Sequence, residues 1–311
     1  MTNATDDVDP ALRRGRALPL LGVLLGGAVL ATMPLIVPRV APALPVMTLV
    51  GAGAAAGFVF WLLALLTGLR RGPGWWIAAS LALLVAGGAL AGYNAARIGH
   101  ADGAADASTF AEVKLNPDAT PILPSNPARG PVSAAYVEMV RADERDAKLQ
   151  GERVAKLNPG VLNTPYTLTQ APGILRDCGA IDALGAAASD ASARRQAREA
   201  ALARQIASAQ LDAAIRDGIA EMAALPDGAA QALLDHERAG WAATRELCEL
   251  LAKRSWSNAN GLFGFASPAD KAAFDALNQR RVAIETERKQ VRDRIKARFE
   301  AGRDKVRAAL S

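Results

Sequence analysis

Aromatic residues make up only 5% of this 311-residue chain, and it holds two cysteines and two histidines. The two cysteines, Cys178 and Cys248, are 70 positions apart, so there is no Cys-x-x-Cys pair for dithiol chemistry. His100 and His236 stand too far from the cysteines and from each other for a zinc pattern. Gly-rich phosphate loops, a nucleophile elbow and a His-Glu-x-x-His motif are also missing. Glu237 and Glu246 read as acids on a helix surface. The expectation is therefore a non-enzymatic protein with no catalytic residues, cofactor or metal. An excess of basic charge is lacking too, once position is considered. Of 36 basic residues seven lie at or before Arg97, leaving 29, and of 31 acidic residues three lie there, leaving 28. The part after Arg97 is close to neutral, and nucleic acid is not an expected partner.

Charge is absent altogether from three apolar runs, residues 18–37, 44–69 and 75–93. A bilayer core ~30 Å thick is crossed by about 20 apolar residues in a helix. The runs predict three transmembrane helices, with membrane lipid as their surroundings. Arg13, Arg14 and Arg16 precede the first run, and Arg70 and Arg71 lie between the second and third. Arg39, Arg97 and Lys114 flank the opposite side. This asymmetry predicts a cytoplasmic N-terminus and an external C-terminal part, which in a bacterium is periplasmic. Trp75 and Trp76 suit the cytoplasmic interface of the third run and Tyr93 its outer end. Each run carries a small-xxx-small pair: Gly22 and Gly26, Gly53 and Gly57, Gly88 and Gly92. Such pairs let helix backbones approach closely, either within one chain or between partners in the membrane. No ionisable side chain interrupts the runs, which favours an anchor over a transport pathway.

Residues 94–133, with prolines at 117, 121, 124, 127 and 131, read as an extended Pro-rich linker. Within it Lys114, Leu115, Asn116 and Pro117 recur as Lys156, Leu157, Asn158 and Pro159, a repeat best read as local turn chemistry. A charged helix is predicted over 132–157. From 189 to 225 a long helix carries Leu202, Ile206, Leu211, Ile215, Ile219 and Met222, and Pro226, Asp227 and Gly228 end it. A second helix covers 229–254, a Ser/Asn/Gly loop 255–265, and a third helix runs from the Ser267 N-cap to about Leu310. In that last helix Leu277, Ile284 and Val291 are seven apart. Its segment from Arg280 to Arg307 holds 11 basic and 5 acidic residues, either a solvated face or a surface for an acidic partner. The turn at 226–228 predicts antiparallel neighbours, which brings Cys248 back toward Cys178. In an oxidising compartment the two form a disulfide; in the cytoplasm they are two free thiols.

Residues 234–248, read Leu-Asp-His-Glu-Arg-Ala-Gly-Trp-Ala-Ala-Thr-Arg-Glu-Leu-Cys, resemble the last helix of the LprI-type lysozyme-inhibitor domain. Helical spacing puts Trp241, Arg245 and Cys248 on one face, a possible interaction face. The resemblance spans about residues 178–248 and implies a small helical, disulfide-stapled periplasmic domain that in some members blocks lysozyme. The combined expectation is an all-α protein of three transmembrane helices followed by an extramembrane helical bundle with coiled-coil character. Its parts are a disordered cytoplasmic tail (1–17), a three-helix membrane anchor (18–93), the linker (94–133) and a periplasmic domain (134–311). It sits in the cell inner membrane as a multi-pass protein. Its function is to bind another envelope macromolecule, through a protein partner or self-association of the membrane spans or the helical domain, with inhibition or sensing of cell-wall hydrolases as the alternative.

Overall fold

The computed structural model describes residues 23–37, 45–67, 69–71, 73–209 and 211–311. The chain divides into two units. One comprises residues 1–105 with 208–212, and the other 106–207 with 213–311. Helices dominate both, in agreement with an all-α chain.

In the first unit α1 (Val23–Val37) is apolar but, over the described residues, shorter than a membrane span. Helices α2 (Val46–Thr67) and α3 (Gly74–Glu112) are long and apolar enough to cross a membrane. Two such helices are present among the described residues, against the three expected; residues 18–22 of the first run, Gly22 included, and the tail 1–17 lie outside them. Leu66, Leu83 and Leu90 are each more than 60% exposed, the surface that lipid rather than protein covers in a spanning helix. The small residues face each other. A Cβ on Gly53 would collide with the Gly88 carbonyl, one on Gly57 with the Leu84 carbonyl, and one on Gly92 with the Leu49 carbonyl. Residue numbers rise on α2 as they fall on α3, so the two helices are antiparallel and in backbone contact. Gly26 of α1 sits against Phe60, its would-be Cβ 3.2 Å from the Phe60 Cβ. Five of the six glycines are thus used in packing within the chain.

The second unit begins with the last turns of α3. Residues 94–112, expected as extended linker, are helical, because Ala-rich sequence with no proline before Pro117 has nothing to stop it. A short hairpin follows, β1 (Lys114–Leu115) with β2 (Pro121–Ile122), its turn closed by the Asn116 side chain accepting from the backbone N–H groups of Asp118 and Thr120. Helix α4 (Pro131–Leu157) comes next and ends on Asn158, whose φ of 50° is left-handed. Short turns and α5 (Pro165–Gln170) lead to α6 (Asp182–Ser208), α7 (Ala213–Ala223), α8 (Ala229–Ala252) and α9 (Pro268–Leu310).

Here the structure corrects two expectations. The helix expected over 189–225 is broken between α6 and α7. The step of five from Ile206 to Leu211 rotates the apolar stripe by about 140°, so one straight helix cannot bury both halves. The turn at 226–228 does not reverse the chain. Gly218 of α7 meets Gly302 of α9, and Glu246 and Lys253 of α8 meet Arg280 and Asp270 of α9. Helices α7 and α8 therefore follow one another in the same direction along α9, both antiparallel to it. The reversal lies between α6 and α7. Helix α6 runs against α8, with Asp182 beside Arg245 and Ser189 beside Arg238, and against α4, with Leu184 beside Gln150 and Pro131 beside Gln205.

The loop expected at 255–265 is a second hairpin, β3 (Trp256–Ala259) with β4 (Leu262–Phe265). Asn260 and Gly261 both have positive φ, 56° and 87°, the turn geometry that Asn-Gly favours between strands. Helix α9 starts as predicted, with the Ser267 hydroxyl accepting from the Asp270 N–H at 3.2 Å and proline at its first position.

Candidate functional site

The feature that ties the second unit together is the bond between Cys178 and Cys248, with Cα atoms 5.7 Å apart. Cys178 opens the turn before α6, and Cys248 sits in the last third of α8. Because α6 and α8 are antiparallel, the start of one lies beside the end of the other, and the sulfurs meet. Val161, Leu162, Leu168, Ile181, Leu247 and Leu251 enclose Cys248, and Trp256, Phe263 and Phe274 pack against that cluster. Burying a Leu or Ile side chain contributes ~1.5–3 kcal/mol. A handful around the bond makes this the main core of that end.

Trp241 packs on the same core. Among the described residues its indole N–H is enclosed without an acceptor, so it offers no polar handle to a partner, though its ring still lines the neighbouring groove. Arg245 donates from Nη1 to Asp182 Oδ2 at 2.9 Å and thereby links α8 to the first residue of α6. Trp241, Arg245 and Cys248, the face expected for interaction, thus hold α8 to the start of α6 and the segment before it.

Two of the concavities among the described residues lie along α8. One, of about 400 Å³, lies among α4, α6 and α8 and includes Asp143, Asp146, Arg195, Arg198, Leu233 and Glu237. Its aspartates and arginines pair with each other. Arg198 donates to Asp143 at 2.6 Å and to Asp146 at 2.8 Å, Arg194 to Asp146 at 2.7 Å, and Arg195 to Glu199 at 2.9 Å. Hydrogen bonding from Arg194 holds the Asp146 carboxyl below the usual carboxylate range; partial burial opposes this, and Arg198 adds to it. The network joins α4 to α6 more than it offers charge to a ligand. The other concavity, of about 560 Å³, lies between α8 and α9 and includes Trp241, Asn278, Arg281 and Arg288.

His236 is near Glu287, Nδ1 to Oε2 3.4 Å, and His100 lies on α3. Among the described residues no three of His, Cys, Asp and Glu gather as metal ligands. Two residues with structural weight escaped the sequence reading. Asp106 of α3 accepts from the start of α4, and no local pattern announces a cap 26 residues away. Arg281 lies within a run of basic residues, where sequence alone does not separate a half-buried guanidinium from a solvated one. No family model, no curated protein and no solved structure matches the chain.

Proposed function

We propose that this chain is a non-enzymatic, multi-pass protein of the bacterial inner membrane whose periplasmic helical domain binds another envelope macromolecule. The Cys178–Cys248 bond carries this reading, because disulfides persist in oxidising compartments and are rare in the cytosol. Two membrane-length helices in the same chain supply the anchor. The apolar run 18–37 adds a third span, and the Arg and Lys asymmetry orients the N-terminus to the cytoplasm. The close fit of Gly53 and Gly57 on Gly88 and Gly92 consumes the small-residue faces of α2 and α3, which favours the helical domain over these faces as the binding part. The α8–α9 pairing has coiled-coil character, with Leu277, Ile284 and Val291 as its seven-residue seam. The test is twofold. Alkaline phosphatase fused after Ser311 is expected to be active, and a cytoplasm-only fluorescent protein at the same point dark; the reverse overturns the topology. Affinity purification of the full chain in mild detergent is expected to co-purify an envelope component, and recovery of the chain alone after cross-linking in cells overturns the binding role.

A second reading, inhibition of lysozyme, is favoured by the Trp241, Arg245 and Cys248 arrangement around the disulfide. The purified protein is then expected to slow lysozyme at micromolar concentration, and unimpaired activity of several lysozyme types overturns it.

A further inference from the structure

Arg281 is unlike the other arginines around it. Arg280 pairs with Glu246 at 3.0 Å, Arg288 with Glu285 at 3.4 Å and Arg292 with Glu285 at 2.6 Å. Arg281 donates from Nη2 to the neutral Asn163 amide oxygen at 2.9 Å, and among the described residues no carboxylate lies within 4.0 Å of it. Burial alone lowers its basicity. A guanidinium partly withdrawn from water without a counter-charge costs free energy that an incoming anion recovers. It has five N–H donors in a planar fork and uses one in the described contact, so a carboxylate can still be held on two.

The surroundings define what arrives. Arg281 opens into the α8–α9 groove, beside the Asn278 amide, Thr244 and the ring of Trp241. Among the described residues a Cβ on Gly240 would have no neighbour closer than Arg288 Nη2 at 3.9 Å, so the α8 backbone is open to close approach there. Val282, 67% exposed, forms an apolar rim. The far end carries Glu237, together with Glu285 and the Arg288 paired with it. Glu237 and Thr244 are two helical turns apart, about 10 Å. The groove is thus basic at one end, apolar in the middle and mixed in charge, with one more acid than base, at the other. It suits one carboxylate with an adjoining apolar group and disfavours a polyanion.

We propose that the α8–α9 groove binds a peptide segment of a partner protein by seating a single carboxylate on Arg281 and Asn278 and an apolar side chain against Trp241. This rests on the macromolecule-binding reading above and names the surface and the chemistry. The carboxylate belongs either to an Asp or Glu side chain or to a chain terminus, and the probes separate the two. Titration calorimetry on the full chain in detergent would use N-acetyl-leucyl-glutamate methylamide, N-acetyl-leucyl-leucine and N-acetyl-leucyl-glutamine methylamide. At least one acid probe is expected to bind with Kd of about 1 mM or tighter, and the glutamine probe at least about tenfold more weakly. Arg281→Gln is expected to cost about tenfold, and Val282→Glu, on the exposed rim, to weaken binding without disturbing the core. Asn163→Ala, which removes the tether but keeps the charge, is expected to retain binding. Equal affinity for acid and amide probes, indifference to Arg281→Gln, or no heat with either acid probe overturns the proposal. Capture of a partner protein equally by wild type and Arg281→Gln would overturn the groove while leaving the broader binding role standing.

Discussion

Asp106, near the end of α3, accepts the Ser133 N–H on Oδ1 at 2.7 Å and the Val132 N–H on Oδ2 at 2.9 Å, and so caps a helix that begins 25 residues later. The residue at the N-cap position itself is Gly130, which has no side chain to do this. A Cβ there would run into the Asp106 carboxyl carbon at 2.5 Å. A carboxylate that is 2% exposed is tolerable at this place because the first N–H groups and the dipole of α4 both favour negative charge. Asp106→Ala is expected to destabilise the protein by about 1–3 kcal/mol, since it leaves buried backbone donors unpaired. Asp106→Asn, which keeps one acceptor oxygen, is expected to cost less. Thermal unfolding of the purified protein checks both, and an unchanged midpoint for Asp106→Ala refutes the capping role.

Cys178→Ser and Cys248→Ser are each expected to abolish the faster migration of oxidised protein in non-reducing gels. Each removes a cross-link closing a loop of 70 residues, worth ~4 kcal/mol in the chain-entropy model. Cys248→Ser is expected to lower the melting temperature more. Cys248 is fully buried among Leu247, Leu251 and Ile181, where a serine hydroxyl meets apolar groups, whereas Cys178 is only partly buried. Reaction of both thiols of the folded, unreduced protein with maleimide would refute the bond.

Adjacent glycines in α3 provide an internal control for the packing of α3 on α2. Among the described residues a Cβ on Gly87 meets nothing within 4 Å, while one on Gly88 meets the Gly53 carbonyl. Gly87→Ala is expected to be neutral or stabilising, because alanine is up to ~1 kcal/mol the better helix former. Gly88→Ala is expected to cost about 1–3 kcal/mol, since backbone cannot move aside as a side chain does. Thermal stability in detergent reads the difference, and equal behaviour of the two variants counts against the packing.

Asp146 links the α4–α6 network to pH. Its carboxyl is held below the usual range, chiefly by hydrogen bonding from Arg194. A depressed folded-state pKa contributes stability above the unfolded value of ~4, lost as pH falls through the folded value. Asp146→Asn is therefore expected to melt below wild type near pH 7, and the gap is expected to close in acid, where the wild-type carboxyl is itself neutral. Melting curves of both proteins from about pH 7 down to about pH 2.5 check this, and a constant gap refutes it.

Much of the local structure was legible from residue order alone. Apolar runs of about 20 residues made α2 and α3 foreseeable, because span length is set by the bilayer. Serine, proline and an acid at positions 267, 268 and 270 marked the start of α9, because the unpaired N–H groups of a helix end demand such residues. The Asn260-Gly261 turn was equally written in the chain, since both residues tolerate positive φ, although a Ser/Asn/Gly stretch also reads as a loop. Other features depended on contacts distant in sequence. The same four residues form a strand and turn at 114–117 and a helix end at 156–159, so their surroundings, not their identity, choose the conformation. The turn at 226–228 breaks the helix, but whether the chain then reverses or continues depends on what each side packs against. Both α7 and α8 find their partner in α9, and they run on in line. The cysteines meet nonetheless, because the reversal between α6 and α7 makes α6 antiparallel to α8. Sequence determined the apolar spans and the capped start of α9, since those depend on neighbours within a turn or on a run of one kind of residue. Tertiary structure decided the directions of the helices, the remote cap at Asp106 and the isolation of Arg281, since each depends on groups that only folding brings together.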